Sequence, residues 1–175
     1  MDFEIRATNA EFWFHQSDQM LVAGELLYNS LRLCRADPNT ATGCHKGSMF
    51  LLGIALENAL KGVLAANGGI VIKGGKLDRK SSFPCCRNHN LEDLACLVGL
   101  DPSDNEAKLL KRLTVYTVWA GKYGTPIEKD EYAKAAEYTY QRGDDFSIAR
   151  GLIGKLRSRT DYDESLGWPE PQKLD

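Results

Sequence analysis

Histidine and net charge are the two things that this sequence has little of. Its 175 residues include three histidines, and 22 basic residues against 24 acidic ones leave a formal net charge of −2. Histidine is the usual general base near neutral pH and a frequent metal ligand, so few positions can serve either chemistry. A charge near zero excludes a general attraction to nucleic acid or to a membrane surface, and any such attraction must come from a local patch.

Long apolar runs are also missing. The longest apolar stretch, residues 49–60, is interrupted by Glu57 and Asn58, whereas a membrane span needs about 20 apolar residues. The first residues, MDFEIR, carry acids where a signal peptide has its basic region. We therefore expect a soluble, cytoplasmic protein with no membrane contact.

Cysteine is present in an odd number, at positions 34, 44, 85, 86 and 96. Without a secretion signal, five cysteines favour reduced thiols over a disulfide framework. The neighbouring Cys85 and Cys86 could be redox-active or could bind a metal with His89, but Cys-Cys-x-x-His is not a usual zinc spacing. We therefore predict no metal and no cofactor, and the pattern leaves the role of the Cys85–Cys86 pair open.

Apolar residues recur at helical spacing along most of the chain. The pattern predicts a first long helix ending near Ala36, a second at about 42–66, a short helix at 91–98 and later helical segments. The second predicted helix is apolar around most of its circumference, which is typical of a central helix. Four or five helices joined by short turns predict an all-α fold, an antiparallel helix bundle. We expect one domain over residues 1–160 and a flexible C-terminal tail over residues 161–175.

The segment between the second and third predicted helices, residues 70–89, is long and basic. It starts with a β-capable piece, and Gly74-Gly75 could close a short β-hairpin. Basic residues on a glycine-containing loop can approach phosphate groups, with Phe83 and Tyr123 available to stack on bases. A basic loop is more often simply solvated, and a loop of this length is usually either functional or disordered. Five basic residues stand there against one acid: Lys73, Lys76, Arg79, Lys80 and Arg87.

Three short segments, in the same order along the chain, resemble the HEPN superfamily of small helical domains. The sequence ALENALKGVL at residues 55–64 is similar to the family's A-x-E-x-x-L-K-A-x-L helix, and HNL at residues 89–91 to the H-[DN]-L that opens the next short helix. WAGKY at residues 119–123 resembles a later A-x-R-Y-P, with Lys122 where arginine is usual. The resemblance implies a helical bundle, a homodimer, and an association with RNA cleavage or nucleotide binding.

Catalytic HEPN ribonucleases resemble one another in an Arg-x(4–6)-His motif, in which histidine acts as general base or acid and arginine stabilises the phosphorane. None of His15, His45 and His89 has an arginine five to seven residues before it. The resemblance therefore argues against the usual nuclease activity. The alternative is a metal-independent endoribonuclease with a displaced site, which uses Arg87 and His89 from each of two subunits.

Glu57 and Lys61 lie one helical turn apart, in the order that favours an ion pair. We expect a structural pair at the bundle surface or at a dimer face, with a polar pocket around Glu57, Asn58 and Lys61 as the alternative. His89 is expected to help begin the short helix. A base or phosphate contact beside Arg87 is its alternative role.

These observations favour a non-catalytic HEPN-like module that binds RNA, a nucleotide or a protein partner in a bacterial defence or toxin–antitoxin system. Enzymatic activity is left open, with the displaced-site ribonuclease as the alternative, and a scaffold whose loop is only a spacer is a third interpretation. The candidate ligand-binding residues are Glu57, Lys61, Lys73, Lys76, Arg79, Lys80, Arg87, His89, Lys122 and Tyr123.

Overall fold

The computed structural model of this protein describes residues 3–31, 33, 37–87, 89–126 and 128–169. These residues form mostly helix with one small two-stranded sheet, which confirms the predicted all-α class and the predicted hairpin. The end that we predict for the first long helix, near Ala36, lies outside the described residues, as does Cys34. In chain order the elements are α1 (Phe3–Thr8), α2 (Ala10–Ser30), α3 (Pro38–Ala66), β1 (Ile72–Lys73), β2 (Lys76–Leu77), α4 (Arg79–Ser82), α5 (Leu91–Leu97), α6 (Asp104–Val115), a π-helical segment (Tyr116–Ala120), α7 (Lys129–Ala135) and α8 (Asp145–Arg157).

The long helix α3 lies at the centre of the fold. The carboxylate of Asp37 accepts hydrogen bonds from the backbone N–H groups of Asn39 and Thr40, and Pro38 occupies the first helical position. Because a capped start with proline at this position is favourable, the helix begins before the predicted residue 42. The rest of α3 packs against α2, α5, α6 and α8. Its central leucines are fully buried: Leu52, Leu56 and Leu60.

Helix α3 is also long and apolar enough, by length and composition alone, to cross a membrane. Of its most apolar window, 67% is buried inside the protein, which is the position of a core helix. Core helices of soluble proteins pass the same test, so solubility and a cytoplasmic location stay predictions.

The basic segment after α3 has regular structure, a β-hairpin followed by the short helix α4. Strands β1 and β2 pair antiparallel, with Ile72 opposite Leu77, and the two turn glycines have φ angles of +58° and +69°. A two-residue hairpin turn favours that conformation, which glycine adopts without strain. The Ser82 hydroxyl accepts from the backbone N–H of Val71 at 2.8 Å, so α4 is tied back to the start of the segment.

The chain beyond residue 160 packs against the core as far as it is described. An isolated β-bridge joins Asp163 and Gly167. The centroid of the Trp168 ring lies 5.4 Å from that of the buried Phe14 ring. The Trp168 side chain therefore lies against the core, and the flexibility expected of residues 161–175 stays a prediction. Residues 170–175 lie outside the described residues.

The packing of α2 on α3 depends on a glycine. A Cβ atom at Gly62 would lie 2.6 Å from the ring of Phe14, which is fully buried. We predict that Gly62→Ala lowers the free energy of unfolding by about 2 kcal/mol, because the overpacking outweighs the gain in helix propensity. Gly154→Ala in α8 is the control, since its Cβ would meet nothing within 4 Å; it should stabilise by about 0.5–1 kcal/mol. Urea unfolding measures both changes, and effects of the same sign would contradict the close contact at Gly62.

Candidate functional site

Five of the candidate ligand-binding residues meet in one pocket. It lies between the second half of α3, the hairpin, α4 and the start of α5, and its volume is about 260 Å³. Apolar and aromatic side chains form part of the wall, and ionisable side chains form the rest. We call it the Glu57 pocket, and its lining is Glu57, Lys61, Leu77, Arg79, Phe83, Cys86, Arg87, His89 and Leu94.

Glu57 is the buried charge of this pocket, with 3% of its surface exposed. Its carboxylate accepts from the Lys61 ammonium at 2.5 Å and from Nδ1 of His89 at 3.0 and 3.1 Å. Burial raises the pKa of this carboxyl, but Lys61 and His89 together outweigh burial and hold the pKa below its ordinary value. Glu57 is therefore ionised at neutral pH. The structure contains the expected ion pair with Lys61, but Glu57 is buried instead of lying at the bundle surface, because the loop that carries His89 covers this side of α3. The alternative position at a dimer face stays a prediction.

The Lys61 ammonium lies between two aromatic rings as well as beside Glu57. Its Nζ atom is 5.5 Å from the centroid of the Trp13 ring and 5.5 Å from that of the Phe83 ring, within the range of a cation–π interaction. The Trp13 indole is itself fixed, since its Nε1–H donates to the backbone carbonyl of Ala7 at 2.8 Å. Helix α2 thus helps to hold a charge that α3 carries.

His89 has an unusual backbone conformation. Its φ angle is +58°, a left-handed conformation that costs a non-glycine residue on the order of 1 kcal/mol. The Thr117 hydroxyl donates to the His89 carbonyl oxygen at 2.7 Å, while Glu57 holds the ring. These two contacts, one to the backbone and one to the side chain, keep the residue in place.

The ring of His89 presents one nitrogen to the pocket side. Because Nδ1 faces a carboxylate, it carries a proton, and the neutral ring then offers Nε2 as an acceptor. In the part of the chain that the structure describes, Nε2 has no hydrogen-bond partner, and the side chain is 44% exposed. The ring is thus oriented by protein on one side and open to a ligand on the other.

The role expected of His89, to help begin the short helix α5, is filled by Asn90. Its side-chain oxygen accepts from the backbone N–H of Asp93 at 2.9 Å, as an N-cap residue does. His89 makes no such contact and reaches across to α3 instead. The two residues that stand side by side in the sequence therefore have separate tasks.

Two arginines bring positive charge to the Glu57 pocket. Arg87 is 77% exposed and is held by Asp93, with Nε 3.1 Å and Nη2 3.3 Å from the carboxylate oxygens. These hydrogen bonds lower the pKa of Asp93 and leave other guanidinium N–H groups of Arg87 for a ligand. Arg79 lines this pocket from α4. The described lining thus carries three permanent cations and a histidine, and Glu57 is its one carboxylate.

The other basic residues of the loop do not line the Glu57 pocket. Lys73 pairs with Asp78 at 2.6 Å, and its hydrogen bond is the main cause that lowers the pKa of Asp78 to about 2. Lys76 lies exposed on the hairpin. Lys80 lines an adjoining depression, which it shares with Arg79. The basic loop therefore contributes two of its five cations to the pocket.

The two candidates from the third HEPN-like segment lie elsewhere. Tyr123 is 62% exposed, and the Lys122 ammonium is 6.0 Å from the centroid of its ring. Neither lines the Glu57 pocket. Asn58, expected beside Glu57 in a polar pocket, donates instead to the backbone carbonyl of Ile54 in its own helix at 2.8 Å.

Sequence reasoning missed three residues that support the site. Trp13 faces Lys61, Asp93 holds Arg87, and Thr117 holds the backbone of His89. Each comes from another element than the residue it supports, and none belongs to a local pattern. The sequence does place Asp93 in the first turn of α5. Acids are favoured there in any helix, so this position did not indicate the contact with Arg87.

The two neighbouring cysteines differ in their surroundings. Cys86 lines the Glu57 pocket, where burial raises the pKa of its thiol, while Cys85 is exposed. They are not joined in a disulfide. Among the residues that the structure describes, no group of three or more histidine, cysteine or acidic side chains could hold a metal ion.

No protein-family model, curated protein or solved structure matches this chain. The HEPN resemblance therefore stays a prediction that rests on three short segments. Two of these segments supply Glu57, Lys61 and His89, which the structure brings together in one pocket.

The ionised state of Glu57 has a measurable consequence for stability. Because its pKa is lower in the folded protein than its ordinary value of 4.5, its contribution is present above pH 4.5 and is lost as the pH falls through the folded pKa. We predict that Glu57→Gln lowers the free energy of unfolding by about 2 kcal/mol at pH 7, and that the difference from wild type shrinks between pH 5 and pH 3.

Urea unfolding at several pH values measures this difference. Glu25→Gln is the control, since Glu25 is also part of an ion pair, with Arg150, but at the surface; its effect should stay within about 1 kcal/mol. A difference for Glu57→Gln that stays constant from pH 7 to pH 3 would show that the carboxylate charge is not what stabilises the fold.

Proposed function

We propose that this protein is a non-catalytic helical module that binds a phosphate-bearing ligand, RNA or a nucleotide, in the Glu57 pocket. The observation that carries the proposal is the composition of that pocket. Three permanent cations and a histidine surround one buried carboxylate, which Lys61 already neutralises. The guanidinium groups of Arg79 and Arg87, the latter held by Asp93, are the donors that a ligand meets at the wall.

Phosphate groups suit this arrangement better than other anions of similar size. A guanidinium group has five N–H donors in a planar fork, which matches the spacing of phosphate oxygens. Arg87 uses side-chain Nε and Nη2 on Asp93 and is held in position by them, so its remaining donors are oriented before a ligand arrives. Preorganisation of this kind lowers the entropic cost of binding.

The size and the wall of the pocket favour one nucleotide unit. A volume of about 260 Å³ lies just below the usual range of small-ligand sites, about 300–1,000 Å³. Phe83 offers an aromatic face at the wall, on which a base can stack. Nε2 of His89 can accept a hydrogen bond from a ribose hydroxyl or from a protonated phosphate. A free nucleotide and one residue of an RNA chain present the same groups.

The HEPN resemblance supplies the wider setting of the proposal. It implies an antiparallel bundle of four or five helices, a homodimer, and a role in bacterial defence or a toxin–antitoxin system with a protein partner. The order of the three sequence segments supports this setting, and so does the meeting of Glu57, Lys61 and His89.

A ribonuclease is the second candidate, and the contact between Glu57 and His89 is the observation that favours it. A histidine held by a carboxylate through Nδ1 is a suitable general base at Nε2. His89 would take the proton of a ribose 2′-hydroxyl, the 2′-oxygen would attack phosphorus, and Arg87 would stabilise the phosphorane. The bond to the 5′-oxygen would then break, giving a 2′,3′-cyclic phosphate and a 5′-hydroxyl.

Cleavage also needs a group that gives a proton to the departing 5′-oxygen. We favour the binding module over the ribonuclease because of this requirement. Among the described residues, His89 is the one histidine that lines the pocket, and the Cys86 thiol there has a raised pKa. A second group that is acidic near neutral pH is therefore missing from the described lining. The displaced-site hypothesis supplies it from a second subunit.

The binding proposal predicts a specific loss in one arginine variant. Arg87→Ala should weaken the affinity for a fluorescently labelled short single-stranded RNA, or for a labelled nucleotide, by about tenfold, since a hydrogen bond to a charged group contributes about 1.5 kcal/mol or more. Fluorescence anisotropy at two salt concentrations measures the affinity, which should fall as salt rises.

Arg142→Ala is the matched control for that measurement. Arg142 is also an exposed arginine paired with an aspartate, Asp144, but it does not line the Glu57 pocket. Equal losses in the two variants would show general charge attraction. Binding that does not change in Arg87→Ala would overturn the proposed site.

The choice between binding and cleavage is tested with the same RNA in EDTA. We expect the RNA to stay intact with wild-type protein after long incubation, as it does with an Arg87→Ala/His89→Ala double variant. Cleavage by wild type that disappears in the double variant and leaves 2′,3′-cyclic phosphate ends would replace the binding module with the ribonuclease.

A further inference from the structure

A second cavity, of about 290 Å³, lies beside the first half of α3 and shares no lining residue with the Glu57 pocket. The π-helical segment forms one of its walls, and the residues around α7 form another. None of the sequence-predicted ligand-binding residues lines it. The side chains that bear on its chemistry are His45, Lys46, Tyr116, Trp119, Tyr132 and Thr139.

A fixed polar chain forms the floor of this cavity. Nδ1 of His45 lies 3.3 Å from the side-chain oxygen of Gln141, and Nε2 lies 2.9 Å from the hydroxyl of Tyr116. Each ring nitrogen of His45 thus has a partner, the Gln141 amide on one side and the Tyr116 hydroxyl on the other. Burial raises the pKa of Tyr116 to about 12, so the phenol is protonated at neutral pH. The His45 ring therefore has one orientation.

Two aromatic rings stand at the open side. The ring centroids of Trp119 and Tyr132 are 6.5 Å apart, with an angle of 31° between the planes. A flat ring stacked between two others needs about 7 Å between their planes, or two carbon contacts of about 3.5 Å each. The centroid distance here is shorter and the rings are tilted, so the Tyr132 ring, which is 63% exposed, has to turn outward before a ligand ring can enter.

The backbone of the π-helical segment gives an independent reason to expect a ligand here. The N–H of Gly121 donates to the carbonyl of Tyr116 at 3.1 Å, a bond that spans five residues where an α-helix spans four. Such turns are rare and occur frequently at functional sites. This one carries both Tyr116 and Trp119, so the irregular turn positions two side chains of the cavity.

The charge at the cavity is positive. Lys46 is exposed and has no ion pair among the residues that the structure describes. The described lining contains no acidic side chain. The carboxylate of Asp145 contributes to the raised pKa of Tyr116, but it is buried and paired with Arg112.

We infer that this cavity is a second ligand site, which takes a planar aromatic or heteroaromatic ring that carries an acidic group. The ring lies between Trp119 and Tyr132, and the acidic group lies against the Lys46 ammonium. The Thr139 hydroxyl offers a hydrogen bond at the edge of the ring. The site is independent of the Glu57 pocket and of the function proposed for it.

The signal of the Trp119 indole N–H tests this site in a two-dimensional proton–nitrogen spectrum. The chain has three tryptophans, so Trp13 and Trp168 act as internal controls, and Trp119→Phe assigns the third signal. The probes are adenosine 5′-monophosphate and indole-3-acetate as ring acids, adenosine as a neutral ring, and inorganic phosphate as the acid alone.

We expect a saturable shift of the Trp119 signal with at least one ring acid, binding of the neutral ring at least tenfold weaker, and no shift with phosphate. A response to the nucleotide alone identifies a ring phosphate, and a response to indole-3-acetate alone identifies an aromatic carboxylate. Lys46→Met should weaken the ring acids at least fivefold and leave adenosine unchanged. Arg87→Ala should leave the Trp119 response unchanged, which separates this site from the Glu57 pocket.

Three results would overturn the inference. The Trp119 signal could stay in place with every probe at millimolar concentration, or all three indole signals could move together. Ring acids could also bind Lys46→Met as tightly as wild type, which would show that Lys46 does not recognise the acidic group. For Lys46→Met, the dispersion of the signals in the same spectrum shows that the variant is folded.

Discussion

The buried carboxylate of Glu57 is the constraint on which this structure depends. A charge in the middle of a central helix is tolerated only when it is paired and hydrogen-bonded. Lys61 supplies one partner from the next turn of α3, and His89 supplies the other from a loop 32 residues further along the chain. The second contact fixes the end of the basic loop against α3. The Glu57 pocket exists because the loop must return to this carboxylate.

Most of the helices follow from local patterns that the sequence displays. The apolar circumference of α3 predicts its central place, and the glycines of the turn predict the hairpin. The π-helical segment could not be predicted, since YTVWA contains nothing that distinguishes a π turn from an α turn. The anchoring of residues 161–169 depends on Trp168 meeting Phe14, a contact between distant parts of the chain that no local pattern encodes.

The parts of the candidate site that depend on residues close together in the sequence could be predicted. Glu57 and Lys61 have the spacing of a helical ion pair, and His89 came from the HEPN resemblance. The burial of Glu57 had a signal too, because an acid that interrupts an apolar circumference lies inside the fold. What the sequence could not give is the meeting of Trp13, Phe83 and Lys61, which depends on how α2 and the loop pack on α3.

The π-helical segment connects the two cavities even though they share no lining residue. Tyr116 holds His45 at the second cavity, and the next residue, Thr117, holds the backbone of His89 at the Glu57 pocket. The leucines of α6 set the register before this turn. Gly121 sets it after the turn, since an added Cβ there would lie 2.6 Å from the Cβ of Phe50. Without the extra residue of the π turn, the segment would be a regular α-helix, and every later side chain would point about 100° away from its present direction around the helix axis. The extra residue of the π turn therefore lets one helix satisfy its core and both cavities at once.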